Sequence, residues 1–339
     1  MINGKGMFWP DAMSGPTEAQ KKQIARRYGA FLHFGINTFN DLEWSDGTLP
    51  VSSYAPDQID ADSWVRTVYE AGMNFVILIT KHHDGFCMWD TKTTDYSVRM
   101  SPNRTDVVAE VAKACRKYGI SFGLYYSLWD RNAVSYREDF AQGYISYMLR
   151  QLEELLDGRY GDVCELWFDG PWDKLCPEWR YDLIYDLVKR YQPDCQIGIN
   201  HTIGNPGYGD PEEQFKPFNQ HEGDPIRNFP CDFRLWDPHP TRDGADTDPK
   251  HFTWEEERYY LPFEMTVCSK AGFSWFNSSV YQDKEQMDPA YIAACYRKMA
   301  SQDNIMVVNL PPDVHGRLSA CDVENILKVA DMLGIRRKV

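Results

Sequence analysis

Short apolar runs alternate with amphipathic segments along most of the 339 residues, and this alternation restricts the fold more than any other feature. Runs rich in β-branched and aromatic residues predict strands at 30–36, 75–80, 121–126, 163–168, 196–200, 273–276 and 305–310. Helical spacing of apolar residues predicts helices at 60–70, 105–118, 138–156, 178–190, 289–301 and 322–333. Repeated strand–helix units with buried strands imply a parallel sheet.

The number of strands favours a barrel over an open sheet. Seven strands are clear and 218–222 leaves room for one more, so we predict an α/β fold with a (β/α)8 TIM-like barrel. Neither a Gly-x-Gly-x-x-Gly motif after the first strand nor a Walker loop is present, which removes the main support for dinucleotide and P-loop folds. Residues at about 200–260 lack periodicity and are rich in Gly, Pro, Asp and His. We therefore expect a single domain over 1–339 with a long active-site loop there.

Several predicted strands end in polar residues. The stretch 74–90, NFVILITKHHDGFCMWD, passes from an apolar strand directly to Lys81, His82, His83 and Asp84. Further polar or aromatic residues end or follow other strands: His33, Tyr125, Tyr126, Trp129, Asp130, Asp169, Asn200 and His201. Because a parallel barrel gathers the carboxyl ends of its strands on one face, these side chains are expected to converge on a site.

Composition and charge limit which binding partners and which cellular compartment are expected. A net charge of −14 and a pI near 5.0 disfavour nucleic acid and anionic membrane surfaces. No run approaches the roughly 18 to 20 apolar residues of a membrane span. The nine cysteines are odd in number and none are spaced Cys-x-x-Cys, which favours a reducing compartment and a cytoplasmic location. A periplasmic or secreted protein whose leader had been removed would give the same sequence.

Asp169 is the sharpest candidate for chemistry, because it ends an apolar strand and is followed by Gly170, which permits close approach of a ligand. The carboxylate is a candidate nucleophile, general base or structural cap of the next loop. A metal site is the alternative for His33, His82, His83 and Asp169. Adjacent histidines do not readily share one face of a strand, which disfavours this set as metal ligands. We expect no metal and no cofactor. No Gly-x-Ser-x-Gly elbow supports a serine nucleophile.

Five motifs in the same order along the chain resemble the α-L-fucosidases of glycoside hydrolase family 29. They are FLHFG at 31–35, TKHHDGFCMW at 80–89, GLYYS at 123–127, LWFDG at 166–170 and NLPPDVHGR at 309–317. The motif at 80–89 is nearly identical to the family's TKHHDGFALW, and it is a specific signal for this family. The resemblance covers most of the chain. Phe34 departs from the family's usual Trp, and the loop at 219–240 is unlike that of better-known members.

The resemblance implies a retaining exo-α-L-fucosidase that acts on terminal fucosides of an oligosaccharide or glycoconjugate. Asp169 matches the family nucleophile in the WFDG motif. Residues that match or are expected to join the sugar pocket are His33, Glu43, Trp44, His82, His83, Trp89, Tyr126, Trp167, Glu212, Glu264 and Trp275. Two carboxyl groups roughly 5–5.5 Å apart would then perform a double displacement.

The acid/base residue stays open among loop acids. Glu222, in His-Glu-Gly with Arg227 nearby, is favoured, and Glu212 or Glu213 in Asp-Pro-Glu-Glu is the alternative. Three other functions also remain open: a catalytically silent sugar-binding barrel, a barrel glycosidase for a different sugar, and a metal-dependent barrel hydrolase. We expect neither nucleic acid nor membrane partners. A homo-oligomer is compatible with the sequence.

Overall fold

The computed structural model describes residues 5–204, 220–235, 248–272 and 274–339. The strands are β1 (Tyr28–Leu32), β2 (Phe75–Lys81), β3 (Ser121–Ser127), β4 (Val163–Asp169), β5 (Gln196–Ile199), β6 (Phe233–Arg234), β7 (His251–Trp254), β8 (Glu257–Tyr260), β9 (Glu264–Cys268) and β10 (Ile305–Asn309). The helices are α1 (Glu18–Arg26), α2 (Ala61–Glu70), α3 (Val107–Tyr118), α4 (Val134–Glu138), α5 (Ile145–Leu156), α6 (Tyr181–Tyr191), α7 (Ser279–Gln282), α8 (Pro289–Ser301) and α9 (Ala320–Leu333). None of the helices in the described ranges is long and apolar enough to cross a membrane.

Eight parallel strands form the predicted (β/α)8 barrel. Their order is β6-β5-β4-β3-β2-β1-β10-β9, and a bridge between Arg234 and Phe263 joins the two ends of the sheet. The backbone N–H of Arg234 also donates to the carbonyl oxygen of Pro262 at 2.9 Å. The antiparallel pair β7–β8 lies outside this sheet.

The strands bury both of their faces, as expected when helices cover a parallel sheet. Side chains that point inward form a small apolar cluster in the barrel, which includes Phe31, Ile77, Trp167 and Val307. Side chains that point outward belong to a larger cluster shared with the helices. Because successive side chains alternate, each strand can hold apolar residues toward the helices and deliver polar ones to the barrel axis.

Helix boundaries follow local sequence chemistry. Asp60 and Asp106 cap α2 and α3 by accepting backbone N–H groups of the first turn. Pro289 begins α8, where its missing N–H has no cost. Gly119 ends α3 in the left-handed conformation at φ 65°. The sequence predicted α2, α3, α8 and α9 to within two residues of these bounds.

Two predicted strands are wrong. The strand expected at 273–276 is absent from the described residues 274–276, and the seventh barrel position is taken by β9. This strand was missed because Glu264 and Thr266 interrupt its apolar pattern. Residues 220–222, the described part of the strand expected near 218–222, form no strand. The sixth barrel strand is β6, which has two residues and so no periodicity to detect. Helix α1 was also missed, and the predicted helix at 138–156 is divided by a π-helical turn at Phe140–Tyr144.

Candidate active site

The carboxyl ends of the barrel strands enclose a pocket of about 190 Å³. Its lining is aromatic with a few polar side chains: Phe31, His33, Trp44, His82, His83, Tyr125, Trp167, Asp169, Trp172, Asn200, His201 and Trp275. This location agrees with the expected convergence of strand ends. Apolar walls with a small number of placed polar groups are typical of small-molecule sites.

Asp169 is the only carboxylate in the lining that the described residues provide. Its Oδ2 accepts a hydrogen bond from the Tyr125 hydroxyl at 2.8 Å, and its Oδ1 accepts from Nδ2 of Asn200 at 3.0 Å. Burial raises the pKa of Asp169, and the two donors oppose that rise because they stabilise the anion. Both of these side-chain donors are neutral, so they stabilise the carboxylate without pairing its charge.

The turn after Asp169 needs a glycine. Gly170 has φ +77°, and a Cβ there would lie 2.8 Å from Cβ of Trp129 and 3.3 Å from Cε1 of His83. A larger residue would be strained by its backbone and would push these rings away. Gly170 thus lets the Asp169 loop pack directly on the neighbouring loop.

Tyr125 and Tyr126 face opposite sides of β3. Tyr125 points into the pocket, whereas the hydroxyl of Tyr126 lies on the helix side, where it donates to Gln151 at 2.6 Å and accepts from Lys81 at 2.9 Å. The predicted pocket role of Tyr126 is therefore corrected to Tyr125. Strand alternation decides the outcome, but two adjacent tyrosines in a strand buried on both faces give no indication of which points inward.

The hydrogen bonds of His33 and His83 define which ring nitrogen carries the proton. Nδ2 of Asn309 donates to the Trp275 carbonyl at 2.9 Å, so its Oδ1 is the acceptor for Nδ1–H of His33 at 2.8 Å. The Ser127 hydroxyl donates to the Trp129 carbonyl at 2.7 Å, so it accepts from Nδ1–H of His83 at 2.7 Å. In both rings Nε2 is then left as an acceptor.

Burial favours the neutral form of three of the four pocket histidines, His33, His82 and His83. Burial lowers the pKa of His33 and of His83 to about 3, and it lowers that of His82 well below its usual value. Nε2 of His83 lies 3.5 Å from Oδ2 of Asp169, so this contact is not an ion pair. Among the described residues, no group of three or more His, Cys, Asp or Glu side chains is arranged to hold a metal ion.

Trp167 forms the floor of the pocket, and Glu264 supports it from below. Trp167 stacks on Tyr125 with ring centroids 5.5 Å apart, and its indole N–H donates to Oε1 of Glu264 at 3.1 Å. Glu264 was predicted to join the pocket, and this prediction is corrected. Its side chain lies fully buried below Trp167, next to Glu165. Burial, followed by the charge of Glu165, raises the pKa of Glu264 well above its usual value.

Four more predicted pocket residues have different outcomes. Trp44 and Trp275 line the pocket, and Trp44 is 47% exposed at its mouth. The Glu43 carboxylate is behind Trp275, where it accepts that residue's backbone N–H at 2.9 Å. Trp89 is buried away from the pocket, with its indole N–H on Glu154 of α5 at 2.9 Å, so its predicted pocket role is corrected.

The structure does not bring Glu222 to the pocket. Its carboxylate is 47% exposed and contacts His251 at 3.2 Å and Arg258 at 3.3 Å. It also accepts the backbone N–H of Lys250 at 2.7 Å. This position gives no support to the predicted acid/base role of Glu222. Glu212 and Glu213, the alternatives, lie outside the described residues.

Asn200 and His201, which the sequence placed among the strand ends expected to converge on a site, belong to the lining. Trp172 also lines the pocket, and the sequence analysis did not predict it. His201 adopts φ 55°, a left-handed conformation that is uncommon outside glycine and often found at functional sites. Trp172 follows β4 by three residues and carried no motif that would identify it.

Comparisons with known proteins identify the family of the chain. A model of the family described as Alpha-L-fucosidase matches residues 8–337. Alpha-L-fucosidase 1 of Arabidopsis thaliana is 32% identical over 326 residues, which cover 94% of this chain and 60% of that protein. A solved structure from Bacteroides ovatus is 30% identical with a TM-score of 0.72, covering 95% of this chain and 58% of the other.

A glycoside hydrolase 29 family member from an unknown rumen bacterium is 26% identical with a TM-score of 0.76, covering 94% of this chain and 57% of the other. The chain thus spans less than two thirds of the length of these three relatives. The family model nevertheless matches nearly all of this chain, from residue 8 to residue 337. The chain belongs to the alpha-L-fucosidase family.

Proposed function

We propose that this chain hydrolyses terminal α-L-fucosides with retention of configuration and that Asp169 is the nucleophile. The observation that carries the proposal is the Asp169 carboxylate in the pocket, held by the Tyr125 hydroxyl and by Asn200. Neutral donors hold the anion in position without neutralising its charge. Membership of the alpha-L-fucosidase family supports fucose as the sugar.

The proposed reaction is a double displacement. An oxygen of Asp169 forms a bond to the anomeric carbon while the bond from that carbon to the leaving oxygen breaks. A second carboxyl group gives its proton to the leaving oxygen and then takes one from water. The resulting hydroxide attacks the anomeric carbon and releases fucose and the Asp169 carboxylate.

The polar walls of the pocket suit a sugar ring. Nε2 of His33 and of His83 would accept hydrogen bonds from ring hydroxyl groups. Nδ1 of His82 is buried and has no hydrogen-bond partner in the described part of the chain, which favours a ligand contact there. Neutral histidines bind hydroxyl groups without competing for the proton of the acid. The Trp167 and Tyr125 rings would pack on the C–H face of the sugar.

The acid/base is proposed to be one of the three loop acids, and kinetics can separate them. Glu222 would have to leave His251 and Arg258 to reach the pocket. Removing the true acid should slow fucosides with poor leaving groups far more than activated aryl fucosides, and azide should restore turnover of the latter. We expect this pattern in one of Glu212→Ala, Glu213→Ala and Glu222→Ala. An equal, unrescued loss on both substrates would exclude the altered residue.

The test of the function is release of 4-nitrophenol from its α-L-fucoside, beside the α-D-galactoside and the β-D-xyloside. Hydrolysis of the fucoside alone supports the proposal. If all three are inert, two isomeric fucosyllactoses provide the second panel. Inertness toward both panels would contradict the proposed function.

A binding function without hydrolysis is the second candidate, because the described lining holds one carboxylate and retention needs two. It predicts that fucose and fucosyllactose bind measurably by calorimetry while no product forms over days. Turnover of any fucoside at a catalytic rate, abolished in Asp169→Asn, would eliminate this candidate.

A further inference from the structure

The pocket is small. Its volume of about 190 Å³ lies below the roughly 300–1,000 Å³ of pockets that hold drug-sized ligands, which suits a single sugar ring. If the proposed function holds, the terminal fucose fills this space. The sugar to which the fucose is attached must then lie outside it, at the mouth.

Three tryptophans from different loops gather at that mouth. Trp44 and Trp172 are nearly parallel, with an interplanar angle of 16° and centroids 6.1 Å apart. Trp129 stands edge-on to both, at 6.0 Å from Trp44 and 6.1 Å from Trp172. All three rings pack around His83, and none is fully buried. Partly exposed tryptophans beside a polar pocket present flat faces of the kind that bind sugar rings.

The loop that carries Trp129 is fixed by buried groups. N–H groups of residues 128–133 donate to the carbonyl oxygens of Asp169 at 2.7 Å and of His83 at 2.9 Å. Asp130 accepts two backbone N–H groups of the same loop and forms a 2.9 Å ion pair with Lys81. Both charged side chains of that pair are buried. A buried ion pair adds little to stability by itself, so its value here is to hold the loop in one conformation.

Arg131 completes the surface. Its guanidinium lies 4.0 Å from the centroid of Trp129, and Nη1 donates to the Ser45 carbonyl at 3.0 Å. This cation–π contact orients the indole and places N–H donors beside the mouth. The surface therefore combines aromatic faces with a hydrogen-bond donor, which is the chemistry that recognises a neutral sugar.

We propose that Trp44, Trp129 and Trp172, with Arg131, form a platform that binds the leaving-group sugar of the fucoside. This inference rests on the proposed function. The platform would recognise a pyranose ring by stacking, so the preferred substrates are fucosylated oligosaccharides and not fucosides of small alcohols. Trp44 and Trp172 also line the fucose pocket, whereas Trp129 does not, so Trp129 is the residue that separates the platform from the pocket.

The test compares kcat/KM on a fucosyllactose with kcat/KM on α-L-fucosyl fluoride, whose leaving group is too small to reach Trp129. In Trp129→Leu we expect the ratio of the two values to fall at least fivefold, with the change mainly in KM. Trp129→Phe keeps a flat ring and should retain most of the wild-type ratio. It also provides a folded variant if Trp129→Leu is unstable. Tyr191→Ala, at an exposed ring on α6, is the control and should leave the ratio unchanged.

The outcomes are distinguishable. An unchanged ratio in Trp129→Leu, whether both activities fall together or neither falls, would overturn the platform and leave the fucosidase function intact. A lower ratio that Trp129→Phe does not restore would also overturn stacking as its basis. Wild-type protein that hydrolyses neither substrate would overturn the proposed function and the platform with it.

Discussion

Strand β4 carries two buried carboxyl groups, Glu165 near its start and Asp169 at its end. They are four residues apart, roughly 13 Å along the strand, and both point into the barrel. Asp169 meets two neutral donors and opens on the pocket. Glu165 meets Glu264 from across the barrel and lies 3.8 Å from Arg26. Burial raises the pKa of both, but their partners differ in kind.

The groups that contact a buried carboxyl decide what it can do. Two neighbouring carboxyl groups do not readily both ionise in a low-dielectric interior, and burial together with the charge of Glu165 raises the pKa of Glu264, which favours its protonated form. That protonated pair supports Trp167 from below. No acid among the described residues contacts Asp169, and its two neutral side-chain donors favour the anion. The same strand thus supplies a structural acid at one end and a candidate nucleophile at the other.

The largest expected effect is on activity when the two carboxylates are made amides in turn. Asp169→Asn should lower kcat/KM at least 10³-fold, about 4 kcal/mol of transition-state stabilisation, because an amide cannot form the glycosyl intermediate. Glu165→Gln should change kcat/KM less than about tenfold, since it touches no substrate. Circular dichroism would verify that both variants fold. Comparable losses of kcat/KM in the two variants would contradict the different roles assigned to Asp169 and Glu165.

A smaller effect is expected from the hydroxyl that holds Asp169. Tyr125→Phe removes one of its two donors and should lower kcat about tenfold, because the carboxylate loses orientation and its pKa rises further. Tyr126→Phe is the matched control on the other face of β3. It should leave kcat within about twofold but cost about 1–3 kcal/mol of stability, since Lys81 and Gln151 lose a buried partner. If Tyr126→Phe lost more activity than Tyr125→Phe, the inward face of β3 would be misassigned.

The smallest expected effect is on the pH dependence of stability. The pKa of Glu264 is higher in the folded state than its ordinary value of 4.5, so the folded state binds the extra proton. Stability of the wild type should therefore fall as pH rises above 4.5, by at most about 1.4 kcal/mol per pH unit for this proton. Glu264→Gln can keep the bond to Trp167 and lacks the titration, so its stability should fall less. Urea unfolding from pH 5 to pH 8 would measure the difference, and parallel curves would contradict a protonated Glu264.

The sequence was sufficient to predict a pocket residue where one motif contains both a strand and the polar residues that end it. The KHHD and WFDG motifs placed His82, His83, Trp167 and Asp169 in the lining because a strand of known direction must deliver its end to the common face. The barrel itself followed from the alternation of elements. These inferences need only the order of residues along a strand.

The sequence was insufficient where a side chain's position depends on which face of a strand it occupies or on the conformation of a loop. Nothing in the adjacent Tyr125 and Tyr126 indicates which ring points inward. Trp89 lies in the most specific motif, yet its indole packs against α5. Strand β6 has two residues and carries no period. Glu222 resembles a family acid by its neighbours, but its position depends on the fold of a long loop, which no local pattern specifies.

The most direct test of the central claim is to trap the glycosyl intermediate. The protein would be incubated with a 2-deoxy-2-fluoro-α-L-fucosyl fluoride, digested and analysed by mass spectrometry. The account predicts one added fluorofucosyl group on the peptide that contains Asp169, with activity lost in parallel and recovered slowly as water releases the sugar. Labelling of a different carboxylate, or turnover with inversion and no label, would contradict Asp169 as the nucleophile.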